Sequence, residues 1–208
     1  MFRRFTAGTS CGPKGSPRWG RARMRIVAGK FRSRRLQSLP GTDTRPTSDR
    51  LRETLFSILL GGNPDALAGS IWLDLFAGTG AVGIEALSRG AGMVYFVEAS
   101  KAAAELVRQN LQSLNIASGF EVVEHKTERA IRDFDARQIK PDFIFLDPPY
   151  QSQQLYRETL SLLGSSLISE HALVIAEHEK RFDPGEKFGR LQRFRKIEQG
   201  DAALSFYR

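Results

Sequence analysis

The chain has 208 residues and a formal net charge of +8, a length that suits one domain with an appendage. It contains no apolar run near the ~18 residues that span a membrane, and its single cysteine, Cys11, excludes an internal disulfide framework. Because the three histidines are scattered and the sequence has no cysteine cluster, we expect no metal site.

The positive charge is concentrated at one end of the chain. Residues 1–52 carry 14 Lys and Arg against two acids, whereas residues 53–208 carry 17 basic and 21 acidic side chains. Such asymmetry predicts a nucleic-acid-facing arm on a near-neutral domain. Residues 1–23 are rich in Arg, Gly, Ser and Pro and lack an acid, so we expect a disordered basic tail that the fold does not need. An organellar transit peptide and a translation start at Met24 both remain open.

The first folded unit is expected at residues 24–62. Residues 24–29 and 34–36 indicate the two arms of a short, basic β-hairpin. A loop rich in Pro, Gly and Thr follows, and then a helix that Thr47 or Ser48 caps. The apolar side chains of this helix recur at helical spacing, and Gly61-Gly62-Asn63-Pro64 ends it.

Strand and helix patterns alternate from residue 71 onward, within a second unit expected at residues 63–208. The predicted strands are 71–75, 93–97, 120–124, 142–146 and 172–177, and the predicted helices are 80–89, 100–114, 127–137 and 152–163. Two further strand-like runs, 188–197 and 201–207, indicate a hairpin. The alternation predicts an α/β fold with a mostly parallel, seven-stranded sheet that includes an antiparallel strand.

A glycine-rich loop after the first strand predicts a cofactor site. Gly78 and Gly80 permit a tight turn and close approach of a ligand, and Gly83 lets the following helix pack on the strand. Glu98 ends the second strand, where a carboxylate accepts hydrogen bonds from a ribose diol. The glycines alone also fit a dinucleotide. Asp74 favours S-adenosylmethionine instead, because its charge repels a pyrophosphate and suits ammonium and sulfonium groups.

A second motif, Asp147-Pro148-Pro149-Tyr150, follows the apolar run 143–146. Two prolines lack N–H donors and have a fixed φ, so the chain leaves the strand stiffly. The motif holds a carboxylate, backbone carbonyls and an aromatic ring at the carboxyl end of a strand, where open α/β sheets bind ligands. That combination suits a planar amine such as a nucleobase. The alternative is a turn after a core strand, with Tyr150 on the surface.

Together, Asp74-Leu75-Phe76-Ala77-Gly78-Thr79-Gly80, Glu98 and Asp147-Pro148-Pro149-Tyr150 resemble a class I S-adenosylmethionine-dependent methyltransferase that acts on an exocyclic amine. A more specific resemblance is to the RsmD family, the bacterial 16S ribosomal RNA guanine-N2 methyltransferases. It is carried by Arg45-Pro46-Thr47-Ser48-Asp49-Arg50-Leu51-Arg52-Glu53-Thr54-Leu55-Phe56, by residues 24–29 and by Gly200-Asp201-Ala202-Ala203-Leu204. The resemblance covers residues 24–208 and implies a Rossmann-like class I methyltransferase fold.

The resemblance implies roles for individual residues. Asp147 and the Pro148 carbonyl would accept hydrogen bonds from the target amine, and Tyr150 would stack on the flipped base. Adenine would be read by backbone groups or Thr127, because the neighbouring lysine at 126 offers only donors. The cofactor-binding set is Asp74, Phe76, Gly78, Gly80, Glu98 and Thr127. The residues expected to bind RNA are Arg25, Lys30, Arg32, Arg34, Arg35, Arg45 and Arg50, although a solvated helix surface explains the last two equally well.

The resemblance also implies a 16S ribosomal RNA substrate, on its own or within an assembling small-subunit particle, and a monomer in the bacterial cytoplasm with no membrane partner. One alternative is a DNA adenine or cytosine amino-methyltransferase, although only 61 residues between Glu85 and Asp147 leave little room for a DNA-reading domain. Another is a non-catalytic RNA-binding assembly factor. The methylated guanine, and whether Asp147 acts as a base, remain open.

Overall fold

The computed structural model describes residues 24–38, 49–149 and 152–208. The helices are α1 (Asp49–Leu60), α2 (Ala81–Ser88), α3 (Lys101–Ser113), α4 (Thr127–Ala136) and α5 (Gln153–Ser165), with a turn of 3-10 helix at Leu167–Ser169. The strands are β1 (Ile71–Asp74), β2 (Met93–Val97), β3 (Phe120–Val123), β4 (Phe143–Leu146), β5 (Leu173–Glu179), β6 (Lys187–Phe188), β7 (Leu191–Gln199) and β8 (Ala202–Tyr207). The predicted helices and strands in these ranges are confirmed, except that the run 188–197 is divided into β6 and β7. Within them, no helix is both long and apolar enough to cross a membrane.

The strands form one mixed sheet in the order β3-β2-β1-β4-β5-β8-β7-β6. The first five in this order run parallel, and β8 pairs antiparallel with both β5 and β7. The predicted count of seven strands is wrong by one. Gly189, with φ +56°, makes a tight turn, so residues 187–188 fold back on β7 as a separate short strand instead of beginning it.

Two hydrophobic clusters fill the two faces of the sheet. One face, which we call the α1 face, is covered by α1, α2, α3 and the N-terminal hairpin, with Phe56 and Trp72 at the centre of its cluster. The other face is covered by α4 and α5. The side chains of β1 alternate between them, with Trp72 on the α1 face and Leu73 on the other. Helices on both faces of a mostly parallel sheet are the arrangement that the alternation predicted.

The N-terminal hairpin is confirmed as a short antiparallel pair with one bridge, between Arg25 and Arg35. It is fixed to α2 by Glu85, whose carboxylate accepts hydrogen bonds from the backbone N–H groups of Val27 (2.7 Å) and Ala28 (2.9 Å). Buried hairpin residues belong to the same hydrophobic cluster as α2 and β1. The unit boundary at residue 62 stays a prediction, and the tail 1–23 lies outside the described residues.

Gly83 is required where α2 crosses β2. A Cβ atom on Gly83 would lie 2.3 Å from Cε1 of the buried Phe96 and 2.9 Å from Cγ1 of Val94. Gly83→Ala should therefore lower the free energy of unfolding by about 1–3 kcal/mol through overpacking. Urea unfolding should show a smaller loss when Phe96 is Leu, because the shorter side chain makes room. Equal losses in the two backgrounds would contradict the steric account.

Candidate active site

Three carboxylates lie at the carboxyl ends of adjacent parallel strands. Asp74 is the last residue of β1, Asp147 follows β4 directly, and Glu177 lies in β5, one residue beyond the partner of Leu146. By strand alternation all three belong to the α1 face. Desolvation raises the pKa of Asp74 and of Asp147, and the charge of Glu177 adds to both increases, because like charges in a desolvated place oppose ionisation. This edge of the sheet is where the sequence placed the site.

Asp74 is almost completely buried and accepts a hydrogen bond from the backbone N–H of Gly83 at 3.0 Å. Burial raises the pKa of Asp74 to about 7, and the nearby charges of Glu98 and Glu177 contribute to the increase. A carboxyl group with this pKa binds a cation strongly, because the cation supplies the compensation that solvent does not. That Asp74 faces a cationic ligand stays a prediction.

In the glycine loop between β1 and α2, Gly78 faces open space, whereas Gly80 packs against Val107 and Ile84. Gly78 and Gly80 have φ of +55° and +78°, conformations that favour glycine. A Cβ at Gly78 would be 4.0 Å from the nearest atom, so the loop leaves room above it. Glu98 accepts hydrogen bonds from the N–H groups of Gly78 (3.0 Å) and Ser100 (2.8 Å), and each oxygen retains a lone pair for a ribose hydroxyl. A narrow loop with two carboxylates suits a nucleoside that carries positive charge.

Two further predicted cofactor residues lie beside this loop. Phe76 is half-buried directly after β1 and packs against the hydrophobic cluster of the other face. Thr127 begins α4, is buried, and donates its hydroxyl hydrogen to the Leu75 carbonyl at 2.9 Å. The Thr127 side chain thus ties α4 to the start of the loop, and its hydroxyl oxygen is left as an acceptor only. Contact of either residue with adenine stays a prediction.

Asp147 and Pro148 form a rigid acceptor pair after β4. Burial raises the pKa of Asp147 well above its ordinary value, with contributions from the charges of Glu177 and Asp74. No described residue donates a hydrogen bond to the Asp147 carboxylate, so its oxygens are available to a ligand. The Pro148 carbonyl accepts a hydrogen bond from the Tyr156 hydroxyl of α5 at 3.1 Å, which holds the motif in place. Tyr150 lies outside the described residues.

Sequence reasoning missed Glu177, and it did not predict that Arg52 is buried near this edge. Glu177 is a glutamate in an otherwise apolar run, and it is buried. Arg52 is also fully buried, and burial lowers the pKa of its guanidinium group, which interacts with the charges of Asp49, Glu85 and Glu177. Its helical spacing from Leu55 and Phe56 indicated the buried face. Among the described residues, no cluster of metal-binding side chains occurs.

The predicted RNA-binding residues of the hairpin and α1 are exposed. Arg25 makes an ion pair with Asp49 at 3.2 Å, and Arg34 donates to the Ser113 carbonyl at 2.9 Å. The others form no ion pair with any described acid, so their charges are available to a polyanion. These residues are Lys30, Arg32, Arg35 and Arg50. Arg45 lies outside the described residues.

The sheet order, the glycine loop after β1 and the Asp-Pro-Pro exit after β4 define a class I methyltransferase. The solved structure of the Escherichia coli protein yhhF superposes with a TM-score of 0.72 at 28% identity, covering 89% of this chain and 97% of that one. The structure of SMU.776 in complex with SAH has a TM-score of 0.58 at 14% identity, covering 76% of this chain and 48% of that one. The second likeness shows the fold alone.

The family is defined by sequence. Residues 24–208 match the family described as Conserved hypothetical protein 95. The Haemophilus influenzae protein named Ribosomal RNA small subunit methyltransferase D is 38% identical over 160 residues, 76% of this chain and 79% of that protein. The Bacillus subtilis protein YlbH is 36% identical over 186 residues, 89% of this chain and 98% of YlbH. The chain belongs to the RsmD family of methyltransferases.

Asp74 should make stability depend on pH. The pKa of Asp74 is about 7 in the fold against an ordinary 3.8, so between these values the folded chain holds a proton that the unfolded chain has released. The free energy of unfolding therefore falls as pH rises through this window, by on the order of 2–4 kcal/mol from this group. Asp74→Asn removes the titrating group. In urea unfolding, the free energy of unfolding of the variant should therefore rise relative to that of wild type between about pH 5 and pH 8. Parallel pH profiles would contradict the assignment.

Proposed function

We propose that the chain transfers a methyl group from S-adenosylmethionine to the exocyclic N2 amine of a guanine in 16S ribosomal RNA, within an assembling small-subunit particle. The coarser statement, a methyltransferase of small-subunit ribosomal RNA, is supported by relatives that carry this name at 36–38% identity. The observation that carries the finer statement is the half-buried Asp147 carboxylate, to which no described residue donates a hydrogen bond, beside the Pro148 carbonyl. The finer statement also rests on the resemblance of residues 45–56 to the guanine-N2 enzymes.

The two acceptors fit an amine with two hydrogens. A guanine N2 is a weak nucleophile because its lone pair is delocalised into the ring. Hydrogen bonds from its two N–H groups to Asp147 and to the remaining lone pair of the Pro148 carbonyl would direct the nitrogen lone pair towards the cofactor. Tyr156 keeps the carbonyl in position through its own hydrogen bond. Orientation of this kind contributes up to ~7–11 kcal/mol in favourable systems.

The cofactor supplies a methyl group already activated by a sulfonium. Asp74 and Glu98 would hold its cationic and ribose parts against the glycine loop. As the N2 nitrogen forms its bond to the methyl carbon, the bond from that carbon to sulfur would break and leave a neutral thioether, so the nitrogen would become positively charged and would have to release a proton. A carboxylate with a raised pKa is a better proton acceptor than an exposed one, so Asp147 is suited both to orient the amine and to receive this proton.

The exposed basic hairpin would hold the RNA backbone. Lys30, Arg32 and Arg35 carry charges that no described acid neutralises, and Arg50 is exposed on the adjacent helix. Lys and Arg that contact phosphates give affinity that falls steeply with salt. Because Glu85 fixes the hairpin to α2, these charges keep a constant position relative to the glycine loop.

The proposal is tested with Asp147→Asn and Asp147→Ala. We expect turnover on small-subunit particles to fall by at least about 100-fold, because both variants lack the base and the charge acceptor. Affinity for S-adenosylmethionine, measured by calorimetry, should change only slightly. Asp65→Asn is the matched control, since the Asp65 carboxylate is exposed and the structure shows no ion pair for it.

The product of the wild-type reaction separates the alternatives. With a labelled methyl donor, nucleoside analysis should place the label in N2-methylguanosine of 16S ribosomal RNA. Label in adenine or cytosine of DNA would favour the amino-methyltransferase of DNA. Binding to the particle without any label would favour a non-catalytic assembly factor. Near-wild-type turnover of Asp147→Ala would remove Asp147 from the chemistry.

A further inference from the structure

A groove of about 470 Å³ opens at the amino ends of the strands, the opposite edge of the sheet from the carboxylates. Its lining includes residues 142–143 at the start of β4 and Leu173, the first residue of β5. The last turn of α1 contributes Ile58 and Leu59 to one wall, and β7 and β8 contribute Phe194 and Phe206. The groove therefore lies on the α1 face, beyond the end of α1.

Phe194 is exposed because of a bulge in β7. The pairing of β7 with β8 shifts between Arg193 and Arg195, so Phe194 has no partner of its own in β8. A bulge of this kind redirects a side chain. Phe194 is 53% exposed, and its ring centroid lies 6.4 Å from that of Phe206. The bulge also breaks the simple alternation that would have placed Arg193 and Arg195 on one face.

The groove carries two arginines without acidic partners. The Arg208 guanidinium lies over the Phe194 ring at 5.1 Å, and the Arg195 guanidinium lies over the Phe206 ring at 6.0 Å. Neither forms an ion pair with any described acid. In contrast, Arg193 is neutralised by Asp183 and Glu186. The acid in the groove lining, Asp142, accepts a hydrogen bond from the Ile71 N–H at 2.8 Å.

This combination of groups favours RNA as the occupant of the groove over the basic tail or a second copy of the chain. An exposed aromatic ring stacks on a nucleobase, and the guanidinium groups beside it neutralise the phosphates. The basic tail of this chain, residues 1–23, would bring further positive charge to two uncompensated arginines. A second copy would bring the same arginines to face each other. Charge complementarity therefore points to a polyanion with planar, stackable groups.

The groove and the carboxylate site are connected by α1. Arg52 in its first half interacts with the charge of Glu177, while Ile58 and Leu59 at its end line the groove. Seven residues of helix separate Arg52 from Leu59, about 10 Å along the axis. The basic hairpin lies on the same face of the sheet. The carboxylate site and the groove therefore lie near opposite ends of the same helix.

We propose that the groove binds a second, unstacked nucleotide of the RNA substrate, with Phe194 stacking on its base and Arg195 and Arg208 contacting its phosphates. The proposal rests on the proposed RNA substrate and extends it. The groove is a binding site separate from the carboxylates, and its effect is on RNA affinity and not on the chemical step.

The test measures binding of the full chain to protein-free 16S ribosomal RNA and to small-subunit particles over a range of salt concentrations. Phe194→Ala should raise the Kd for both by about tenfold, with an unchanged salt slope, because stacking is lost and no charge is removed. Phe194→Trp should bind like wild type, since it keeps a stacking surface. The double variant Arg195→Ala/Arg208→Ala should lower the salt slope by about two. Leu167→Ala, at the other large exposed apolar residue, is the control.

The outcomes separate this inference from the proposed function. If wild type binds and methylates the RNA but Phe194→Ala binds like Leu167→Ala, the groove proposal is overturned alone. If wild type neither binds nor methylates RNA, both fall. An effect seen with particles but not with protein-free RNA would assign the groove to a protein partner and overturn it. A change in the oligomeric state of Phe194→Ala would also overturn the proposal, and it would assign the groove to contact with a second copy of the chain.

Discussion

The central constraint on this structure is the placement of three carboxylates side by side, with Asp74 and Glu177 buried and Asp147 half-buried. They lie near the carboxyl ends of neighbouring strands, where desolvation raises the pKa of Asp74 and of Asp147 and the charge of Glu177 adds to both increases. The fold offers partial compensation from the Gly83 N–H group and from the buried guanidinium of Arg52, whose Nε and Nη1 atoms donate to no described partner. An edge built in this way is incomplete without positive charge, and a sulfonium cofactor together with an amine that gains charge during the reaction would supply it.

Buried polar residues also join the N-terminal hairpin to the glycine loop. Asn110 of α3 donates to the Thr79 carbonyl in the glycine loop at 2.9 Å, and its amide group exchanges hydrogen bonds with the backbone of Gln37. Arg52 donates to the Arg25 carbonyl at 2.7 Å. These hydrogen bonds therefore fix the position of the hairpin relative to the loop. The proposed RNA-binding surface and the proposed cofactor site share this one set of buried hydrogen bonds.

Local sequence patterns predicted most of the fold, because apolar periodicity and turn residues act over a few positions. They placed Asp74, Glu98 and Asp147 at one edge, since parallel strands end together. What they missed depends on tertiary neighbours. Glu177 and Arg52 become significant only when β5 and α1 meet, and the separate strand β6 depends on a turn at Gly189 and on pairing at the edge of the sheet. The contact of Thr127 with Leu75 likewise joins residues 52 positions apart.

The most direct measurement is the number of protons exchanged when S-adenosylmethionine binds the full chain. Calorimetric titrations near pH 7, in buffers with different ionisation enthalpies, provide it. Because the pKa of Asp74 is about 7 without the ligand and a cation should lower it, binding should release a substantial fraction of a proton, and the affinity should rise with pH. Asp74→Asn should release less. Binding with no proton release, or with equal release in wild type and variant, would contradict the view that the carboxylate edge is built to receive a cation.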